Sequence, residues 1–194
     1  MEKRLLITGF DPFGGSTENP SWMAVSQLPE KIGGFTLRKR MLPTVFGEAA
    51  DTVLKEAELF NPHVILCIGV AAGRSSITPE RVAINIRDAR IADNGGNQPE
   101  DTPVVAAGPA AYFATVPVKA MVQAIQEAGI SAAVSNTAGT FVCNDTLYLL
   151  LHHFAGTGTR VGFVHIPALP HQHEVSMPLD RMITGLAAAV LACE

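Results

Sequence analysis

Short apolar, β-branched runs recur along this chain with amphipathic segments between them, and that alternation constrains the fold more than any other feature. The runs are RLLITGF, FTLRKRML, HVILCIGV, SAAVSN and TRVGFVHIP. Several are too uniformly apolar for a sheet with one wet face, so they read as strands covered on both sides. After Pro117, the residues Val118, Met121, Val122 and Ile125 fall at helical spacing, and Leu179, Met182, Ile183, Leu186 and Val190 repeat the pattern near the end. Strands alternating with such helices predict an α/β layered domain with a mostly parallel central sheet, helices outside and ligand sites near strand ends. A chain of 194 residues that is 47% hydrophobic fills one substantial core, so a single domain over residues 1–194 is expected.

One stretch departs from the pattern. In ERVAINIRDARIADNGGN, Val82, Ile84 and Ile86 alternate with Ala83, Asn85 and Arg87, which predicts an extended ribbon closing at the Asn94-Gly95-Gly96 turn.

Charge and cysteine usage remove several classes of function. The formal net charge is -4 and the basic residues are scattered, so nucleic acid is not an expected partner. The apolar run in MEKRLLITGF stops at Thr8 and Gly9, short of a signal-peptide core or a membrane span, and the expected location is cytoplasmic. The three cysteines, Cys67, Cys143 and Cys193, show no paired spacing, and disulfides are not expected. Cys67, inside HVILCIGV, reads as a buried inert thiol, and Cys193 as incidental.

Cys143 sits differently. A strand ending near Asn136 leads through the small-residue turn TAGT into a helix from Val142 to Phe154, which puts Cys143 in the first helical turn. Unpaired N–H groups and the positive dipole end favour a thiolate there, although a small buried residue beginning a helix fits equally. His165 ends an apolar strand where α/β sheets place their sites, and Glu80 follows the loop GVAAGRSSITP. A satisfied core histidine and an exposed charge at a strand start are the ordinary readings of each alone. Together a cysteine, a histidine and a carboxylate at element boundaries make the composition of a thiol-hydrolase triad. Metal is not expected: His171, His173 and Glu174 in HQHE have no third ligand at a zinc spacing and read as a solvated loop. GFDPFGG lacks the lysine and spacing of a phosphate loop.

Three blocks taken together resemble the pyroglutamyl peptidase I family, the pyrrolidone-carboxylate peptidases: TGFDPFGG with NPSW, PERVAINIRDARIADNGGNQP, and SNTAGTFVCNDTLY followed by VHIP. Their order and spacing cover nearly the whole chain. The resemblance implies a single α/β/α sandwich, catalytic residues Glu80, Cys143 and His165, a homotetramer, and N-terminally pyroglutamylated peptides as substrates, with no cofactor. It also gives the aromatic loop LITGFDPFGGSTENPSW a purpose, since a small flat lactam needs apolar walls and a few hydrogen bonds. Phe10 and Phe13 would be walls, Phe141 and Val142 would add to them from the nucleophile's side, and Asn19 would bond the substrate or fix the loop. Gly14 and Gly15 would allow the tight path that Pro12 begins.

The mechanism so implied is attack by the Cys143 thiolate, protonation of the departing amine by His165, and orientation of the imidazole by Glu80. The Cys143 N–H, with Arg90 as a second donor, would stabilise the oxyanion. Many relatives carry a GQAGGR-like loop where this chain has GVAAGR, so an amide side chain is missing at Val70, and Ala72 replaces a glycine. Two other readings share the architecture, a nucleoside phosphorylase-like transferase and a non-catalytic protein that binds small amides.

Overall fold

The structure is a computed structural model that describes residues 3–194. In chain order its elements are β1 (Lys3–Phe10), α1 (Pro20–Gln27), β2 (Lys31–Ile32), β3 (Phe35–Leu42), α2 (Glu48–Phe60), β4 (Val64–Val70), β5 (Thr78–Pro79), β6 (Val82–Ile84), β7 (Ala111–Phe113), α3 (Val118–Glu127), α4 (Val142–His153), β8 (Arg160–Ile166) and α5 (Leu179–Leu191). The main sheet has the order β2-β3-β1-β4-β8-β5. The four central strands are parallel, and β2 and β5 run antiparallel at the two edges. This is the layered, mostly parallel α/β fold expected from the alternation.

Strand periodicity sorts the side chains onto two faces. Leu5, Ile7, Val64, Leu66, Ile68, Val164 and Ile166 pack with α1, α3 and α5, whereas Leu6, Phe10, Ile65, Cys67, Val161 and Phe163 pack with α2 and α4. Each large aliphatic or aromatic side chain so buried contributes about 1.5–3 kcal/mol against the entropy of ordering the chain. The helices expected after Pro117 and near the chain end are α3, which buries Met121 and Ile125, and α5, which buries Met182, Leu186 and Val190.

Two expectations change on inspection. SAAVSN runs parallel to residues 77–81, yet only the isolated bridges Ile77↔Ala132 and Glu80↔Ser135 form. Proline explains the gap. Ile77, Ala133, Ser135 and Arg81 donate backbone N–H groups across this pair, and Pro79, with no N–H, cannot supply the bond between them. The ribbon is also shorter than expected, because β6 pairs with β7 instead of with the segment beyond the turn. The Asn94-Gly95-Gly96 turn is present, held by Asp93 Oδ1 accepting from Gly95 N at 2.9 Å and Asn97 N at 2.8 Å. Pairing outward from it is reduced to single contacts such as Ala89 N to Pro99 O and the Arg87↔Thr102 bridge, since Pro99 and Pro103 cannot donate to a ladder.

Candidate active site

Cys143, His165 and Glu80 are delivered by three different elements to the carboxyl end of the sheet. His165 stands on β8 on the face covered by α4, its ring 4.9 Å from that of Phe163, and only 5% of its surface is exposed. Glu80 follows the edge strand β5, where its N–H donates to Phe163 O at 2.8 Å and its side chain is fully buried. It is therefore not an exposed charge at a strand start. Its Oε1 accepts a 2.7 Å hydrogen bond from His165 Nδ1, which places the imidazole hydrogen on that nitrogen and leaves Nε2 for the reacting groups.

Cys143 is the second residue of α4 and is half-buried. Gly69 on β4 is the register partner of His165, and a Cβ placed on Gly69 would lie 3.0 Å from the Cys143 sulfur. The thiol thus rests on bare backbone beside His165. With the Phe163 ring 2.8 Å from the same point, a side chain has no room here, and a strand otherwise rich in branched residues carries a glycine. Burial pushes the thiol up to about 12, Glu80 and Cys67 add to the rise, and Arg74 and the Cys143 N–H oppose it. The helix-start advantage is real but smaller than the cost of leaving water.

The first turn of α4 is pinned by its own polar residues. Asn144 pairs with backbone as a strand would: its Oδ1 accepts from Ile84 N at 2.9 Å, and its Nδ2 donates to Ile84 O at 2.9 Å and Ile86 O at 3.1 Å. Asp145 accepts from Arg87 Nε at 2.6 Å and from Gly47 N at 2.8 Å, so it also caps α2. Burial pushes its carboxyl up while Arg87 and Gly47 hold it down.

A cleft of about 750 Å³ opens at the same end of the sheet, lined by residues that include Phe13, Asn19, Val70, Ala72, Arg90 and Gln172. Phe13 packs on Phe141 at 5.2 Å between ring centroids, and Phe46 meets the other side of Phe141 edge-on at 5.2 Å. Gly14 and Gly15 take φ of 65° and 81°, the left-handed region glycine tolerates best. Phe10 is 3% exposed and Val142 fully buried, so both belong to the packed layer beneath the cleft. Arg90 is exposed on the cleft wall. Asn19 is committed to the protein: its Nδ2 donates to Asp11 O at 2.8 Å, and its Oδ1 accepts from Ser21 N at 3.0 Å and Ser21 Oγ at 2.7 Å, capping α1. Of the two roles expected for it, fixing the loop is the one the geometry shows. In the HQHE loop, His171 Nε2 pairs with Glu18 and His173 Nδ1 accepts from Val175 N at 3.0 Å.

Arg74 was not singled out in the sequence. Its Nη1 donates to Glu80 Oε1 at 2.9 Å and to Thr78 Oγ1 at 2.7 Å. Its position in a Gly-Arg turn directly after an apolar strand is the only signal that marked it.

A thiol, an imidazole and a buried carboxylate gathered at the strand ends of a layered α/β domain define a thiol-hydrolase type of site. The comparisons with known proteins narrow this class. The chain belongs to the pyroglutamyl peptidase family, whose sequence pattern matches residues 3–194. It is 52% identical over 193 residues to a pyrrolidone-carboxylate peptidase of Pseudomonas fluorescens, covering 96% of this chain and 91% of the relative. A pyrrolidone-carboxylate peptidase of Streptococcus pyogenes serotype M4 is 50% identical over 196 residues, covering 97% of this chain and 91% of the relative. The crystal structure of Bacillus amyloliquefaciens pyroglutamyl peptidase I superposes with a TM-score of 0.96 at 44% identity, over 99% of this chain and 97% of that one. A point variant of Pyrococcus furiosus pyrrolidone carboxyl peptidase gives 0.92 at 38%, over 98% and 97%. The family does not favour the phosphorylase-like or non-catalytic reading.

Proposed function

We propose that residues 1–194 form one catalytic domain, a cysteine exopeptidase that removes N-terminal pyroglutamyl residues from peptides, with Cys143, His165 and Glu80 as its reacting set. The observation that carries the residue roles is the 2.7 Å contact between Glu80 Oε1 and His165 Nδ1 beside a thiol seated over Gly69, the register partner of His165.

The resting thiol, held near 12, gives up its proton to His165 Nε2 as sulfur attacks the pyroglutamyl carbonyl carbon. The carbonyl π electrons move to oxygen, and the Cys143 N–H, in the unpaired first turn of α4, is the nearest donor for that oxyanion. Arg90 is the second donor. Collapse of the tetrahedral intermediate breaks the C–N bond, and the proton on His165 goes to the departing amine. Water, deprotonated by the same nitrogen, then cleaves the thioester and restores the thiol. Glu80 holds the imidazole in place and stabilises the imidazolium that forms twice in the cycle. Phe13 and Phe141 supply apolar walls for the lactam, over a floor that contains Phe10 and Val142, and Asn19 holds the loop that presents them.

We also assign the protein to the cytoplasm, as a homo-oligomer with four subunits. The cysteines are free, as a reducing compartment keeps them. Among the described residues no helix is long and apolar enough to cross a membrane, and Phe113 and Leu59 expose apolar surface that a subunit contact would cover. Light scattering reads the subunit number directly. The activity is tested with a pyroglutamyl arylamide before and after iodoacetamide treatment: hydrolysis that thiol alkylation stops is expected, and hydrolysis indifferent to it would remove the thiol mechanism.

A further inference from the structure

Arg74 bonds both the segment that carries Glu80 and the turn that leads to Cys143. It sits in the turn that follows β4, and its guanidinium donates to Glu80 Oε1 at 2.9 Å and to Thr78 Oγ1 at 2.7 Å, both on the edge-strand segment. Its Nη2 donates to Thr137 O at 3.2 Å, in the turn that leads into α4. One planar cation therefore joins the strand end beside His165, the segment that carries Glu80 and the approach to Cys143. A lysine could not make these three contacts in fixed directions.

The chemistry at Glu80 requires such a partner. The carboxylate is fully buried, and its Oε2 has no hydrogen-bond partner among the described residues. The ionised form costs several kcal/mol to bury without compensation. His165 offers a hydrogen bond to the carboxylate, but an opposing charge only while it is an imidazolium. Arg74 carries its charge throughout. At the Cys143 sulfur the Glu80 charge works against the thiolate, and the Arg74 guanidinium, bonded to that same carboxylate, works for it.

We propose that Arg74 is a positioning residue for the reaction, fixing the Glu80 carboxylate against His165 and offsetting that carboxylate's charge at the Cys143 sulfur. The inference rests on the reading of Cys143, His165 and Glu80 as the reacting set. It adds a fourth member that acts through Glu80.

The test measures Arg74→Gln and Arg74→Lys beside the parent and Cys143→Ser, with two readouts. The first is kcat and KM on a pyroglutamyl arylamide. The second is the rate of iodoacetamide labelling at Cys143 and Cys67 at pH 8, read by mass spectrometry. Arg74→Gln removes a charge that opposes the rise of the thiol, so labelling of Cys143 at fixed pH slows roughly three- to tenfold, the lower figure allowing for the greater nucleophilicity of a more basic thiolate. Its kcat falls about 10- to 100-fold with KM within about twofold, because the lost interaction belongs to the reacting groups and not to substrate binding. Arg74→Lys keeps the charge, so its labelling stays within about twofold of the parent while kcat falls about three- to tenfold with the loss of the fork.

A residue that only held the loop would act differently. Its loss would loosen the site and speed labelling, at Cys67 as well as Cys143. Faster labelling in either variant, or a parental kcat in Arg74→Gln, overturns the proposal. If Arg74→Gln does not fold, Arg74→Lys decides, and a parental kcat or faster labelling there is equally fatal. Activity surviving in Cys143→Ser would instead bring down the catalytic reading itself, so the two failures are distinguishable.

Discussion

Cys67 and Cys143 meet across the same layer of the protein. Cys67 projects from the middle of β4, Cys143 faces it from the start of α4, and burial pushes both thiols up to about 12. A low resting pKa therefore does not mark the nucleophile. What separates the two is their neighbours. Cys67 is fully enclosed, with Thr8 and Phe163 as its partners in the adjoining strands. Cys143 is half-buried at a helix start with unpaired N–H groups, seated over Gly69, the register partner of His165, and within the field of Arg74. On the proposed mechanism, reactivity comes from access and from a base in place, and the thiolate forms as its proton leaves for the imidazole.

The strongest test of that contrast is the pair of serine variants. Cys143→Ser is expected to lower kcat/KM by at least about 10⁴-fold, the scale on which loss of a nucleophile is felt. Cys67→Ser should keep activity within about twofold. Its hydroxyl arrives opposite Thr8, whose Oγ1 has no partner among the described residues, so unfolding stability should change by no more than about 1 kcal/mol. Comparable activity in the two variants would end the assignment.

The next effect in size separates the base from the group that orients it. His165→Ala should cost about 10³- to 10⁴-fold in kcat, whereas Glu80→Gln, which retains a hydrogen-bond acceptor for Nδ1–H but no charge, should cost about 10- to 100-fold. The double variant should resemble His165→Ala alone, because groups that act as a unit do not lose activity additively. Wild-type kcat in Glu80→Gln would reduce the set to a cysteine and a histidine.

Gly69 allows the contrast to be weakened without touching any reacting group. A Cβ there would lie 2.8 Å from the Phe163 ring and 3.0 Å from the Cys143 sulfur, so Gly69→Ala must move one or both. Phe163 is held in the core, and the half-buried cysteine is the easier to displace. The expected result is a kcat lower by about 10- to 100-fold with a cooperative unfolding transition retained, in line with the cost of misplacing a reacting atom by a fraction of an ångström to one ångström. An unchanged kcat would mean that the thiol has room to spare and that the glycine answers only to Phe163.

What the sequence made visible follows the physics of each region. The central strands were legible because parallel strands buried on both faces must be continuously apolar, as HVILCIGV is. Residues 131–136 read as a strand and do hydrogen-bond like one, but the partner residue that breaks the ladder, Pro79, lies more than fifty positions away. The alternation at Val82, Ile84 and Ile86 showed an extended segment without naming its partner, since pairing with β7 depends on prolines elsewhere in the arm. The site divides the same way. Cys143, His165 and Glu80 each sat at an element boundary, a local signal. Arg74 and Gly69 matter only through groups that the fold brings to them, Glu80 and Thr137 for one and a cysteine on a different element for the other. The role of Asn19 was half visible, because asparagine at the cap followed by proline at the first helical position is a favoured helix start, as here before α1.

The smallest expected effect lies on the substrate's side of the comparison, at Val70. This residue ends β4, packs in part against the core and lines the cleft together with Ala72, Phe13 and Gln172. Where the GQAGGR-like loop of the resemblance carries an amide, valine offers only methyl groups, and a substrate that reaches this wall finds no hydrogen bond from it. Val70→Gln supplies it, and a neutral hydrogen bond is worth about 0.5–1.5 kcal/mol net. Part of that gain is offset by ordering a longer side chain and by the valine contacts given up in the core. The expected result is a KM lower by about threefold at unchanged kcat, with a slightly lower melting temperature. Because the Val70 side chain packs on the face of the sheet opposite to both thiols, labelling of Cys143 should be unaffected. A KM identical to the parent's in a folded variant would show that this wall of the cleft does not meet the ligand, and that the cleft beyond Phe13 serves the departing peptide instead of the lactam.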